Sequence, residues 1–210
     1  MMESNKPIAQ VGSPAPIFSG VAFDNTVGFK GIDLKDYKGF YVVLFFYSMD
    51  FDPMCIGEIL EFSRLYESFK GIDCKVIGCS SDSQHVHMEF ASKSIEKGGL
   101  GEVKFPLLSD LTHEIAIAYG AYIDQGEYEG STLRSTYIID REGMIRHLSQ
   151  NDLPVGRNVE EILRLVQGFQ HADKHGDVCP SKWRKGRKTI VPDHKSELTK
   201  KYWEEEHAKQ

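Results

Sequence analysis

Long apolar stretches are missing from this sequence. The longest, Phe40 to Tyr47, falls far short of the ~18 residues that a membrane-spanning helix needs. An excess of basic charge is missing too. The formal net charge of −6 argues against nucleic acid as the main partner. The first residues, MMESNKPIAQ, carry no basic-then-apolar leader pattern, and no Asn-x-Ser/Thr acceptor occurs. The expectation is a cytoplasmic chain without membrane segments. Cysteine is scarce, with four residues in 210 (Cys55, Cys74, Cys79 and Cys179). That is too few for a disulfide scaffold of this length, so any disulfide is expected to be transient and catalytic. No two cysteines stand in a CxxC pair, so neither a dithiol motif nor a four-cysteine zinc site is supported.

What is present is an ordinary globular composition, 40% apolar and 27% charged. The length allows one domain with a real core plus an arm or tail. Phe40–Tyr47 is apolar on both faces, the mark of a strand buried on both sides. Ile56, Ile59, Leu60, Phe62, Leu65, Tyr66 and Phe69 then lie on one helical stripe. Asp52 is the expected N-cap and Pro53 the first helical residue. Cys74–Cys79 reads as a second buried strand, so the unit is a parallel strand–helix–strand crossover. Further on, the sequence predicts a helix over about 84–96, a short strand over 105–108 and a helix capped by Ser109 or Asp110 that ends at Tyr119. A hairpin follows across Asp140–Gly143, where Asp first and Gly fourth suit a type I turn. A helix starting after Asn158 comes last. The class is α/β. The domain body is placed at 1–171, and 172–210, broken by Pro180, Gly186 and Pro192, reads as an extended arm ending in a short polar helix.

Cys55 is the most informative residue. It follows a buried strand and sits in the first turn of a helix, where backbone N–H groups and the macrodipole favour a thiolate. The bland alternative is an inert, buried, small hydrophobe. Cys74 and Cys79 fit that alternative well. Cys179, in the irregular arm, is either incidental or the partner of another thiol. Arg134 opens a strand after a loop; inside a pocket its fixed charge favours a thiolate, and otherwise it faces solvent. His171, His175 and Cys179 have the i, i+4, i+8 spacing of three metal ligands, with a polar helix end as the plainer reading and no fourth ligand evident. No cofactor is expected. Phe45, Phe46, Tyr47 and Phe51 are assigned to the core.

Several segments together carry a resemblance. They are Phe45-Phe46-Tyr47 through Asp50-Phe51, Cys55 with Glu58, Asp82-Ser83-Gln84, Gly98–Gly101, Pro106–Asp110, Thr132-Leu133-Arg134, Asn151–Arg157 and His175–Pro180. In this order, from about Val11 to Trp203, the chain resembles the typical two-cysteine peroxiredoxins. The resemblance implies a thioredoxin-like fold, a central mixed sheet flanked by helices, with an extended C-terminal arm. It makes Cys55 the peroxidatic cysteine, which attacks a peroxide and becomes a sulfenic acid. It makes Cys179 the resolving cysteine, closing an intersubunit disulfide within a homodimer that thioredoxin reduces. Arg134 would stabilise thiolate and peroxide, and Glu58 and Arg157 would hold Arg134. Dimers assembling into decameric rings, and chaperone-like activity in some members, are also implied.

The loop before Cys55 departs from that family. Where the pattern has Pro, then Thr or Ser, then Cys-Pro, this chain has Ser48, Asp52, Cys55 and Ile56. A threonine hydroxyl donates and accepts hydrogen bonds; an ionised Asp only accepts. Its charge beside Cys55 disfavours a thiolate. As N-cap, Asp52 would also accept the N–H of Cys55, a donor the pocket would want for the peroxide. Either way the expectation is a slowed peroxidase. The rival is a ring-forming holdase or redox relay that kept the fold and lost fast turnover.

Overall fold

A computed structural model describes residues 9–207. The outer ends of the two expected segments, 1–8 and 208–210, lie outside the described residues. The chain divides into two compact units, one up to Val159 and one from Glu160 onward.

The first unit is built on seven strands. They are β1 (Ser19–Asp24), β2 (Gly28–Asp33), β3 (Tyr41–Phe46), β4 (Cys74–Ser80), β5 (Leu107–Ser109), β6 (Arg134–Ile139) and β7 (Ile145–Asn151). They form one mixed sheet in the order β2-β1-β5-β4-β3-β6-β7. Three helices accompany them: α1 (Pro53–Lys70), α2 (Gln84–Ser92) and α3 (Glu114–Tyr119). Strands β3 and β4 pair parallel through α1, as the strand–helix–strand pattern implies, and β4 pairs parallel with β5. The β6–β7 hairpin turns at Asp140, where the N–H of Gly143 donates to the Asp140 carbonyl at 3.0 Å. Gly143 takes φ +86° there, a value that suits glycine.

The pleat of β3 sorts its side chains to two cores. Phe45 stacks on Phe62 of α1, centroids 4.1 Å apart at 10°, and meets Phe105 edge-on at 5.7 Å. Its neighbour Phe46 points to the opposite face, against Tyr119 of α3 and Tyr137 of β6. Every residue of β3 is buried. A strand so placed carries its C-terminal end, and the loop that follows, into the middle of the molecule's first unit.

Some elements differ from expectation. The β1–β2 hairpin was not foreseen, because at the sheet edge only Ala22, Phe23 and Ile32 of its residues are buried and no sustained alternation results. The helix expected over 84–96 stops at Ser92, and a single 3-10 turn, Ile95–Lys97, follows. The short strand begins at Leu107 rather than 105. Asp110 does serve the helix ending at Tyr119, but from a distance: its carboxylate accepts the N–H groups of Ile115 and Ala116 at 3.1 and 2.7 Å while His113 occupies the cap position.

The second unit contains most of α4 (Val159–His175) and α5 (Glu197–His207). Between them the chain folds back so that Val178 and Ile190 form an isolated antiparallel bridge. No helix among the described residues is long and apolar enough to cross a membrane.

Phe45→Ala removes the ring on which Phe62 and Phe105 pack. It is expected to destabilise the chain by about 3–5 kcal/mol, read as a lowered urea midpoint.

Candidate active site

The C-terminal end of β3 delivers the chain into a loop, Tyr47–Asp52, that is fastened at several points. The Tyr47 N–H donates to the Cys79 carbonyl at 3.0 Å. The Thr132 hydroxyl donates to the Tyr47 carbonyl at 2.8 Å. The Asp50 N–H donates to Asp82 Oδ2 at 2.8 Å. Beneath the loop, the Tyr47 hydroxyl donates to Asp50 Oδ1 at 2.8 Å, and His87 Nδ1 lies 2.8 Å from Asp50 Oδ2. Burial pushes the Asp50 carboxyl up and the Tyr47 hydroxyl well up from their ordinary values. Phe51 is the exception to the expected core. It is 39% exposed and takes φ +63°, a strained conformation for a bulky residue. Its ring leans on Phe90 at 4.9 Å. The next residue, Asp52, starts α1.

Asp52 caps that helix as the sequence implied. Its Oδ1 accepts the Cys55 N–H at 2.8 Å, and Pro53 opens the first turn. Cys55 therefore sits at the positive end of an 18-residue helix. Cys55 exposes no surface.

Among the described residues, two side chains lie within hydrogen-bond reach of the sulfur. Arg134 Nη1 lies 3.3 Å from Cys55 Sγ and Ser48 Oγ 3.2 Å from it. Arg134, at the start of β6, is buried and not the solvent-facing strand end of the plainer reading. Its Nη1 also donates to Glu58 Oε2 at 3.0 Å, and its Nε to the Leu153 carbonyl at 2.8 Å. Glu58, one helical turn after Cys55, serves a second guanidinium as well. Arg157 Nη1 donates to Glu58 Oε2 at 2.8 Å, and the Arg157 backbone N–H to Oε1 at 2.7 Å. Arg157 Nη2 donates to the Phe46 carbonyl, and its guanidinium lies over the Phe45 ring.

The charges can be counted. Two buried guanidinium groups share one buried carboxylate, which leaves one positive charge beside Cys55. A thiolate matches it. Asp52, partly exposed, lies 3.7 Å from Arg134 Nη2 and competes for the same charge. Burial pulls the Arg134 guanidinium down, but Cys55, Glu58 and Asp52 together more than offset this and raise it. Arg157 is pulled down to about 10, chiefly by burial, against the attraction of Glu58; it stays charged at neutral pH.

The structure thus brings Cys55, Asp52, Glu58, Arg134 and Arg157 together. Cys179 belongs to the second unit. Its Sγ lies 3.5 Å from the Gly168 carbonyl, and burial pushes its thiol up. Cys74 and Cys79 are core residues. His171 stacks on His175, with centroids 4.4 Å apart, but no group of three or more His, Cys, Asp or Glu is gathered to hold a metal among the described residues.

Two contributors escaped the sequence reading. Ser48 was counted only as a lost proline, yet its hydroxyl is on the sulfur. His87 carried a faint signal, a polar residue three before Phe90 on the buried side of α2, but its partner Asp50 is 37 residues away.

Comparison with known proteins gives this geometry a family. Residues 11–148 match the AhpC/TSA family, and 168–205 match the C-terminal domain of 1-Cys peroxiredoxin. The chain belongs to the AhpC/TSA family, the peroxiredoxins. Over 190 residues it is 47% identical to peroxiredoxin-4 of Rattus norvegicus, covering 90% of this chain and 68% of that one. The reduced 2-Cys peroxiredoxin of Plasmodium vivax superposes with a TM-score of 0.83 at 36% identity, covering 87% of this chain and 93% of the other. Thioredoxin peroxidase I of Plasmodium yoelii superposes with a TM-score of 0.73, also at 36% identity, covering 84% and 100%. The thioredoxin-like fold implied by the sequence is the fold of this peroxiredoxin, and thiol-dependent peroxide reduction is its activity. Homo-oligomers are typical of the family.

Two outcomes follow from the site. Glu58→Gln leaves two buried guanidinium groups without a full countercharge, and is expected to cost about 3–5 kcal/mol by chemical denaturation; a change under ~0.5 kcal/mol would show that the cluster does not depend on that charge. Burial pushes the Cys74 thiol up and the Cys79 thiol well up. Iodoacetamide at neutral pH is therefore expected to leave both unmodified until urea unfolds the chain, as mapped by peptide mass.

Proposed function

We propose that this peroxiredoxin reduces hydrogen peroxide and organic hydroperoxides through Cys55, at a rate lowered by Asp52. The Cys55 thiolate attacks the hydroxyl oxygen of the peroxide. An S–O bond forms, the O–O bond breaks, and the leaving alkoxide or hydroxide takes up a proton. The Cys55 sulfenic acid then condenses with the thiol of Cys179 of the partner subunit, releasing water and forming an intersubunit disulfide. Thioredoxin returns both sulfurs to thiols by exchange and leaves as its own disulfide. The chain works in a reducing compartment, the cytoplasm.

The observation that carries this reading is Arg134 Nη1 at 3.3 Å from Cys55 Sγ, held there by Glu58. A fixed positive charge at that distance favours the nucleophilic form and is placed to receive the negative charge of a peroxide oxygen. Arg157 and Glu58 act as positioning residues. The likeness to a thioredoxin peroxidase supports the choice of reductant. Attenuation rests on two features of Asp52. Its Oδ1 occupies the Cys55 N–H, and its charge draws on Arg134. The same departures, with Ile56 after the cysteine, support the rival, an oligomeric holdase or relay with little turnover.

Peroxide consumption by the reduced protein with thioredoxin and its reductase is expected to vanish in Cys55→Ser. In Cys179→Ser it is expected to stop after a single equivalent. Asp52→Thr is expected to raise the rate about tenfold, equivalent to ~1.4 kcal/mol. Equal rates in Asp52→Thr and wild type would overturn the attenuation. A silent wild type beside an active Asp52→Thr would favour the rival.

A further inference from the structure

Position 48 is one of the departures from the family's loop, and it is where the loop gains a hydroxyl. Ser48 is 3% exposed and Cys55 fully buried, and their Oγ and Sγ atoms are 3.2 Å apart. Cys55 Sγ is the sole hydrogen-bond partner of the Ser48 hydroxyl among the described residues. A proline in its place would offer no hydroxyl. Position 52, by contrast, has exchanged a hydroxyl for a carboxylate that can only accept, and that carboxylate is committed to the Cys55 N–H.

We propose that Ser48 is a catalytic residue of this peroxidase: its hydroxyl donates to the Cys55 thiolate, supplying from one end of the loop the donor that Asp52 cannot supply from the other. The proposal rests on the peroxidase reading of Cys55. Around the sulfur, the charged groups are Arg134 from β6, Glu58 and Asp52 from α1 and its cap, and Arg157 beyond Glu58. Of the two groups touching the sulfur, Arg134 divides its donors among Cys55, Glu58, Asp52 and the Leu153 carbonyl. Ser48 has no other hydrogen-bond partner among the described residues. When Cys55 is a thiol, either atom can donate. Once the thiol loses its proton, only the hydroxyl can, and a hydrogen bond to an anion is the stronger kind. Deprotonation therefore fixes the hydroxyl as the donor of this bond and strengthens it, which favours the thiolate. The donor is already in place, because the adjacent Tyr47 is pinned through its N–H and carbonyl and Asp50 through its N–H. Little reorganisation is needed when charge develops on the sulfur.

Thiolate formation is read as ultraviolet absorbance against pH, as the difference between each variant and the same variant carrying Cys55→Ser. Peroxide rates are read in parallel. Ser48→Ala is expected to lower the thiolate fraction at neutral pH about fivefold to tenfold, with the curves converging at high pH, and to slow peroxide reduction by the same factor. Ser48→Thr, which keeps a hydroxyl, is expected to recover most of both. In an Asp52→Thr background, which restores the second hydroxyl, Ser48→Ala is expected to cost much less, because the two sites share one task. An unchanged thiolate curve in Ser48→Ala overturns the proposal. So does an equal loss in both backgrounds, or a loss that Ser48→Thr does not recover. If the wild type consumed no peroxide, the peroxidase reading would fail, while the thiolate curves would still decide whether Ser48 donates to Cys55.

Discussion

Glu58 is the residue on which this site depends. Two guanidinium groups cannot be buried side by side without a countercharge, since the desolvation and mutual repulsion would each cost several kcal/mol. The Glu58 carboxylate accepts from both, at 3.0 and 2.8 Å, and also from the Arg157 backbone N–H. Because Glu58 lies on α1 one turn past Cys55, any force that holds the two arginines also fixes the helix carrying the sulfur. Arg134 in turn ties β6 to the loop after β7 through the Leu153 carbonyl. Glu58 is thus one of the groups that join the pocket to the central sheet.

Charge balance then explains the chemistry. One carboxylate against two guanidinium groups leaves one positive charge beside Cys55. Asp52 adds a second anion at the edge of this arrangement. It improves the helix start, because a carboxylate at an N-cap is favourable. It also accepts the Cys55 N–H and lies 3.7 Å from Arg134 Nη2. The same side chain thus favours the fold and, in the proposed function, opposes the reaction. Ser48 Oγ lies 3.2 Å from the sulfur, at the opposite end of the loop. The loop departs from the family at both ends, and the two departures act on one atom.

Phe51 shows where the loop holds strain. Its positive φ places a large ring at the surface, which no hydrophobic pattern would anticipate. The run of aromatics from Phe45 is continuous in sequence but not in environment. Phe45 and Phe46 enter two different cores, the Tyr47 hydroxyl joins the buried Asp50–His87 pair, and Phe51 turns outward.

What the sequence determined by itself was everything set by local pattern. The two-sided apolarity of Phe40–Tyr47, the stripe from Ile56 to Phe69, the Asp52-Pro53 helix start and the Asp140–Gly143 turn each obey a short-range rule. From them the parallel β3–α1–β4 unit and the placing of Cys55 in a first helical turn follow directly. The family's motifs added Arg134, Glu58 and Arg157 as candidates, although nothing local distinguishes Arg134 from a strand-end charge in solvent. Only the tertiary structure decided which of these residues meet. Arg134 is 79 residues from Cys55 and Arg157 is 99 from Glu58, and contacts at such separations exist only once the sheet has formed. The edge hairpin β1–β2 was hidden because its few buried residues, the adjacent Ala22 and Phe23 and the single Ile32, give no alternation. Ser48 was counted only as a lost proline, because nothing local shows that a side chain seven residues before Cys55 comes within 3.2 Å of its sulfur; the fold decides that.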